Sequence, residues 1–209
     1  MRFPRASAWG PTTVSSPQAQ LPGAPLRVAI TNPYVWPHVR RGSERLLNDL
    51  ACYLRDAGHA VTVLAMAPQQ GDEVREGIRY DLTRERWSGR RRQLNSLHFF
   101  AWALQERLAR EPFDLVFCLN YFDAYAAVRC RERHGLAYKV VFQNVGIPTR
   151  RYFRAVPLDR WFMHQVLRRA DHCLVLSEFA RESLQREFGV AAQVLPPPVV
   201  TEGFGAAAP

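Results

Sequence analysis

The stretch LRVAITNPYVWPHVRRGSERLLNDLACYLRDAGHAVTVLA, residues 26–65, decides the fold. Its opening, LRVAI after Pro25, is a short apolar run that reads as a strand. A loop holding Pro33 and Pro37 follows. From Ser43 to Ala57 the residues Leu47, Leu50, Ala51, Leu54 and Ala57 recur at helical spacing. Gly58 stands where a glycine ends a helix. AVTVLA, residues 60–65, is a second apolar run. Strand, helix and strand in so short a span imply a parallel pair joined by a right-handed crossover.

The same alternation continues outward. Residues 71–86 are polar, with one strand-like piece at Ile78 to Leu82. Arg90 to Arg92 form a basic entry to a helix whose apolar face is Leu94, Leu97, Ala101, Leu104 and Leu108, and Pro112 stops it. DLVFCLN (114–120) reads as a strand, and residues 122–135 as a helix closed by Gly135. YKVVFQN (138–144) is a strand, followed by the loop VGIPTRRYF. Pro157 suits the first turn of a helix over 157–170. DHCLVLS (171–177) is a strand, and 177–189 a helix with Ser177 as N-cap and Glu178 in its first turn. AAQVLPPPVV (191–200) is a last strand that leaves the sheet through its prolines. The expectation is an α/β domain over residues 26–200, with a Rossmann-like, doubly wound, mainly parallel sheet and helices on both faces. Residues 1–25 read as a disordered Pro/Ser/Ala-rich leader without a secretory apolar stretch, and 201–209 as a tail.

Bulk properties exclude several classes. No apolar run approaches the roughly 20 residues of a membrane helix. The net charge is +9, and Lys139 is the only lysine among 28 basic residues. Such a surface attracts phosphates and acidic membrane faces. Without a zinc finger, a recognition helix or an aromatic-interleaved basic motif, nucleic acid is not an expected partner. The four cysteines form no CxxC pair and read as reduced thiols of a cytoplasmic chain. The six histidines have no metal-ligand spacing. There is no GxSxG elbow, phosphate loop or GxGxxG. No metal and no cofactor is expected.

In doubly wound sheets ligands bind outside the carboxyl ends of the strands. That rule selects the loops at 32–42, 120–123, 144–154 and 177–178. Gly42 lets a backbone approach a ligand, and the N–H groups of residues 43–46 would face it with the positive helix end behind them. Arg40 and Arg41 add charge. The same residues also read as a tight turn at Gly42 with Ser43 as a cap. His38 is the one histidine in that loop. Asn120, with Tyr121 and Asp123 after it, closes the strand of residues 114–120, and Asp123 suits a base, a hydroxyl binder or a first helical turn. Gln143, Asn144 and Gly146 end another strand. Their amides suit a ligand with many hydroxyls, or a turn.

The order of these pieces resembles the acceptor-side, N-terminal half of the GT-B glycosyltransferases of family 4. Gly42, Glu44, Arg45, Leu50, Ala51, Leu54, Gly58, His59, Val61, Thr62 and Val63 match that family's opening. ADHCLVLSEFARESLQREFGV resembles its later segment, and VLPPPVVTEGF its interdomain connection. Two departures stand out: Arg41 replaces the first of a frequent glycine pair, and Asn144 lies where many members carry histidine. Lys139 on a strand does not replace the family's basic pair, and the Glu-x7-Glu segment of the donor half is absent.

The resemblance implies a glycosyltransferase of hexosyltransferase type. It would move a sugar from a nucleotide-sugar co-substrate to a hydroxyl of a glycan or lipid-linked acceptor, in glycan or glycolipid biosynthesis, with retention. It implies Gly42 near donor phosphates or acceptor, Asn144 and Arg150 on the acceptor, and Ser177 and Glu178 shaping the cleft. Glu44 and Asn120 join that set. A rival reading makes the chain one subunit of a split transferase with a separate donor-domain chain as partner, and the basic surface points to peripheral contact with an acidic membrane face from the cytoplasm. Without the donor half the chain would be inactive. The alternatives are a non-catalytic sugar- or phosphate-binding module, or a partial gene product.

Overall fold

The computed structural model describes residues 23–86 and 96–197. The leader to residue 22, the Arg90–Arg92 cluster, Leu94 and the tail from 198 lie outside the described residues. In chain order the elements are β1 (Arg27–Thr31), α1 (Gly42–Asp56), β2 (Ala60–Ala67), β3 (Gly71–Arg75), β4 (Ile78–Arg84), α2 (Ser96–Arg110), β5 (Leu115–Cys118), α3 (Tyr121–His134), β6 (Lys139–Asn144), α4 (Arg150–Ala155), α5 (Pro157–Arg169), β7 (His172–Val175), α6 (Glu178–Phe188) and β8 (Gln193–Val194).

The eight strands form one sheet in the order β3-β4-β2-β1-β5-β6-β7-β8. All pairs are parallel except β3 with β4. The order reverses at β1, which pairs with β2 on one side and β5 on the other. That reversal opens the crevice at the carboxyl ends of β1 and β5.

Alternation along the buried strands sends successive side chains to opposite faces. Val28, Ile30, Val61, Val63, Phe117 and Val141 pack in one core with Leu46, Leu47, Leu50 and Ala51 of α1. Ala29, Leu64, Val116, Val140 and Phe142 pack in the other with Phe100, Leu104 and Leu108 of α2, and with residues of α3, α5 and α6. Helices therefore cover both faces, α1 on one and the later helices on the other. This is the expected Rossmann-like, doubly wound sheet.

Three local expectations are corrected. The polar segment before Ile78 is a strand, β3, joined to β4 by a two-residue turn. Glu76 and Gly77 both take positive φ there, at 50° and 77°, the geometry of a type I′ hairpin turn. The loop after β6 contains a helix, α4, with Thr149 as its N-cap accepting from the Tyr152 N–H at 3.4 Å. The last strand is two described residues long, because Pro196 and Pro197 follow it without N–H groups to donate. Gly58 and Gly135 take positive φ at the ends of α1 and α3, as expected of them, and Gly189 does the same at the end of α6.

Candidate functional site

The loops that follow β1, β5, β6 and β7 share the carboxyl edge of the sheet. α1 starts one residue earlier than expected. Its N-cap is Arg41, whose carbonyl accepts the Arg45 N–H at 3.2 Å. The free first-turn N–H groups therefore belong to residues 42–44, not 43–46. Ser43 is not the cap, and no side chain caps this end. Gly42 is no tight turn: it is the first residue of α1, and its φ is not positive. A Cβ built there would meet nothing within 4 Å. Among the described residues no packing requires glycine at that point; the space beside it is open.

The arginines of this loop are held by aromatic rings. The Arg40 guanidinium lies 5.2 Å from the Trp36 ring centroid, and that of Arg41 lies 5.2 Å from the Tyr34 ring. Stacking fixes the plane of each group while its N–H edge stays available. Glu44 is buried in the first turn of α1. One of its carboxylate oxygens is 3.6 Å from Arg41, and Oε2 has no hydrogen-bond partner. His38 is exposed in this loop.

Below the crevice lies a second buried carboxyl. Asp123, in the first turn of α3, is wholly buried, and neither oxygen has a hydrogen-bond partner. Burial pushes its pKa well above 3.8; the neighbouring Thr31 hydroxyl opposes that rise without closing a hydrogen bond to it. Asp123 therefore sits in the first helical turn, one of the roles open to it from sequence. Cys118, beside it at the end of β5, is fully buried, and burial raises its thiol far above its ordinary range. It has no thiolate character.

The other expected residues fall as follows. Asn120 is the N-cap of α3, its Oδ1 accepting the Phe122 N–H at 2.9 Å. Asn144 donates to the Gly146 carbonyl at 2.9 Å and shapes the turn after β6. Ser177 caps α6, with Oγ accepting the Ala180 N–H at 3.3 Å. Glu178 pairs with Arg181 at 2.6 Å on an exposed surface. Arg150 opens α4, exposed. Several of these polar side chains are thus engaged by their own backbone, while Gly42 and Arg150 face open space.

One cluster escaped the sequence. The hydroxyls of Tyr121 and Tyr152 each donate to Asp159 Oδ2 at 2.7 Å, and stand 3.3 Å from each other. It joins α3, α4 and α5, pinning Tyr121 beside the Asn120 cap. Burial, reinforced by Asp159, holds the Tyr121 phenol protonated. Among the described residues no group of three or more His, Cys, Asp or Glu stands together as a metal site. No helix of the described residues is long and apolar enough to cross a membrane.

The chemistry available at this edge is anion binding by stacked guanidinium groups and an uncapped helix start, beside polar side chains suited to hydroxyls. Comparison with known proteins narrows it. The profile of the family described as Glycosyltransferase Family 4 matches residues 40–202. Among curated proteins no sequence matches. Sucrose-phosphate synthase from Thermosynechococcus elongatus is similar in structure at 16% identity, with 83% of this chain covering 48% of that one and a TM-score of 0.65. Anabaena HepE, in complex with UDP and glucose, is similar at 12% identity, with 85% of this chain on 46% of that one and a TM-score of 0.61. A lipopolysaccharide outer core galactosyltransferase, WaaB, is similar at 14% identity, with 85% on 47% and a TM-score of 0.56. The chain spans about half the length of each.

Proposed function

Because this chain belongs to glycosyltransferase family 4, we propose that it is the acceptor-side half of a sugar-transfer cleft. The observation that carries this reading is coverage: 83–85% of this chain superposes on 46–48% of proteins about twice its length. In the proposed reaction an acceptor hydroxyl attacks the anomeric carbon of a nucleotide sugar. The bond to the diphosphate breaks, the nucleoside diphosphate leaves, and the hydroxyl proton is released. Positive groups and helix starts would stabilise the leaving diphosphate without a resident metal. In this reading Arg40 and Arg41, stacked on Trp36 and Tyr34, and the open space beside Gly42 would meet that charge. The acceptor would lie along the loop containing Asn144 and the start of α4 at Arg150, its position lowering the barrier through orientation. Glu44, Asn120, Ser177 and Glu178 shape the walls rather than react. A donor-binding half, on this or another polypeptide, would supply the opposite wall.

A lipid-linked acceptor fits one further feature. Arg150, Arg151, Arg154, Arg160 and Arg168 on α4 and α5 have no carboxylate partner among the described residues. Leu158 and Trp161 are exposed between them. Arginine and tryptophan together suit an anionic membrane face.

The testing experiment is calorimetric titration of the chain with UDP-glucose and, separately, with a polyprenyl-phosphate-linked saccharide. Transfer is assayed alongside, with the chain alone and with any polypeptide encoded directly downstream. Acceptor binding, weak UDP-glucose binding and no transfer by the chain alone are expected. Tight binding of UDP-glucose with none of the acceptor would reverse the assignment of the half.

A further inference from the structure

We infer that the chain carries a second carbohydrate site, for a sugar bearing a carboxylate or phosphate, in the groove between the carboxyl ends of β2 and β4 and the helix α2. This deepens the acceptor-side reading, since it would hold a distal unit of the same acceptor.

The groove has a volume of about 370 Å³ and includes Thr83, Arg84, Arg86, Phe99, Trp102 and Arg110 in its walls. Three independent features point to a ligand there. Trp102 is 68% exposed, although it stands on a helix whose opposite face is core. An indole left in water beside Phe99 in a concave wall is a stacking platform for the apolar face of a sugar ring. Arg84 and Arg86 have no carboxylate partner among the described residues, and Arg110 has only an exposed contact to Glu106 at 3.6 Å. The Thr83 hydroxyl is shielded from solvent and has no hydrogen-bond partner among the described residues. An orphaned hydroxyl in a pocket wall calls for a ligand or water partner.

The adjoining hollow offers a contrast. Gln70, Arg107 and Arg110 line it too, but its other charges are already matched. Arg79 is held by Asp72 and Glu111, and Arg107 by Asp81 at 2.9 Å. Of these two hollows the first is the one that brings arginines without a carboxylate partner together with exposed aromatic surface; its wall also holds Glu106, the partner of Arg110. A neutral glycan would leave the arginines unused, and inorganic phosphate would leave Trp102 unused. The pairing of the two selects an anionic sugar.

The test uses the whole chain and no nucleotide sugar, so its outcome is separate from that of the transfer assay. Trigalacturonate, glucose 6-phosphate, maltotriose and inorganic phosphate are titrated by calorimetry. Tryptophan fluorescence of the native chain is compared with that of Trp102→Phe. Saturable binding of trigalacturonate or glucose 6-phosphate is expected, at least tenfold tighter than maltotriose or inorganic phosphate, and weaker in high salt. Which of the two binds more tightly identifies the anion. Trp102→Ala and the double variant Arg84→Ala/Arg86→Ala should each weaken it at least tenfold. Both changes are on the surface and should leave the thermal unfolding midpoint unchanged. The inference is overturned by absence of saturable binding, by equal binding of maltotriose or phosphate, or by variants that bind as the native chain does.

Discussion

Replacing Asp123 with asparagine should stabilise this protein at neutral pH, and by an amount that grows with pH. The side chain is wholly buried, and neither oxygen has a partner. Burial keeps the folded carboxyl protonated to higher pH than the unfolded one, whose ordinary value is 3.8. Below that value both states hold the proton and nothing is lost. Above it the unfolded chain ionises while the folded chain does not, so native stability falls as pH rises, until the folded carboxyl itself ionises. One proton of difference corresponds to a slope of about 1.4 kcal/mol per pH unit. Asparagine has nearly the same shape and cannot ionise, so the difference between variant and native chain isolates this slope from all other titrating groups. For a chain of this size, each kcal/mol moves the unfolding midpoint by roughly 2–4 °C. The advantage of Asp123→Asn should therefore widen by about 3–6 °C for each pH unit above the ordinary carboxyl range over which the folded carboxyl keeps its proton. The assay is thermal unfolding followed by circular dichroism at half-unit steps of pH. A difference that stays flat, or that narrows as pH rises, would refute the reasoning and show that Asp123 is charged and partnered in the native state.

Three further changes test the frame. Ser177→Ala should cost about 1 kcal/mol by uncapping α6, and Ser177→Asp should restore it; urea denaturation reads both, and a cost shared by the two variants would assign Ser177 another role. Asp171 accepts the Val140 N–H at 2.8 Å and Lys139 at 3.2 Å, and also pairs with Arg131. Its loss in Asp171→Ala should cost about 1.5–3 kcal/mol in the same assay, with Asp171→Asn recovering part. Leu47 is fully buried between α1 and the sheet, so Leu47→Ala should cost about 2–5 kcal/mol by opening a cavity.

The inner strands were legible because each is a short apolar run bounded by turn residues, and burial on both faces selects such runs. β3 was not, since an edge strand with exposed Asp72 and Val74 has no core face to impose a pattern. Its turn uses Glu76–Gly77 where Asn–Gly would have signalled a hairpin. α4, six residues long, is too short to display a periodicity, and only Thr149 marks its start. The carboxyl-edge loops could be located because they follow from strand order. The duties of single side chains could not, because the Asn120 cap and the Asn144 turn depend on local backbone geometry. The meeting of Tyr121, Tyr152 and Asp159 depends on how three helices pack, which no spacing within the chain encodes. The open groove beside Trp102 is likewise set by packing.

The two ends of the sheet have a consequence for assembly. A parallel sheet with bare edges invites another strand to add to it. Here one border is β3, a strand studded with Asp72, Glu73 and Arg75, and the other is β8, two residues followed by prolines. Neither offers a long, flat, apolar row of unpaired backbone groups. Lateral growth of the sheet is thereby discouraged, so a second domain or another protein is steered toward the loops at the strand ends, where side chains rather than backbone ladders choose the partner.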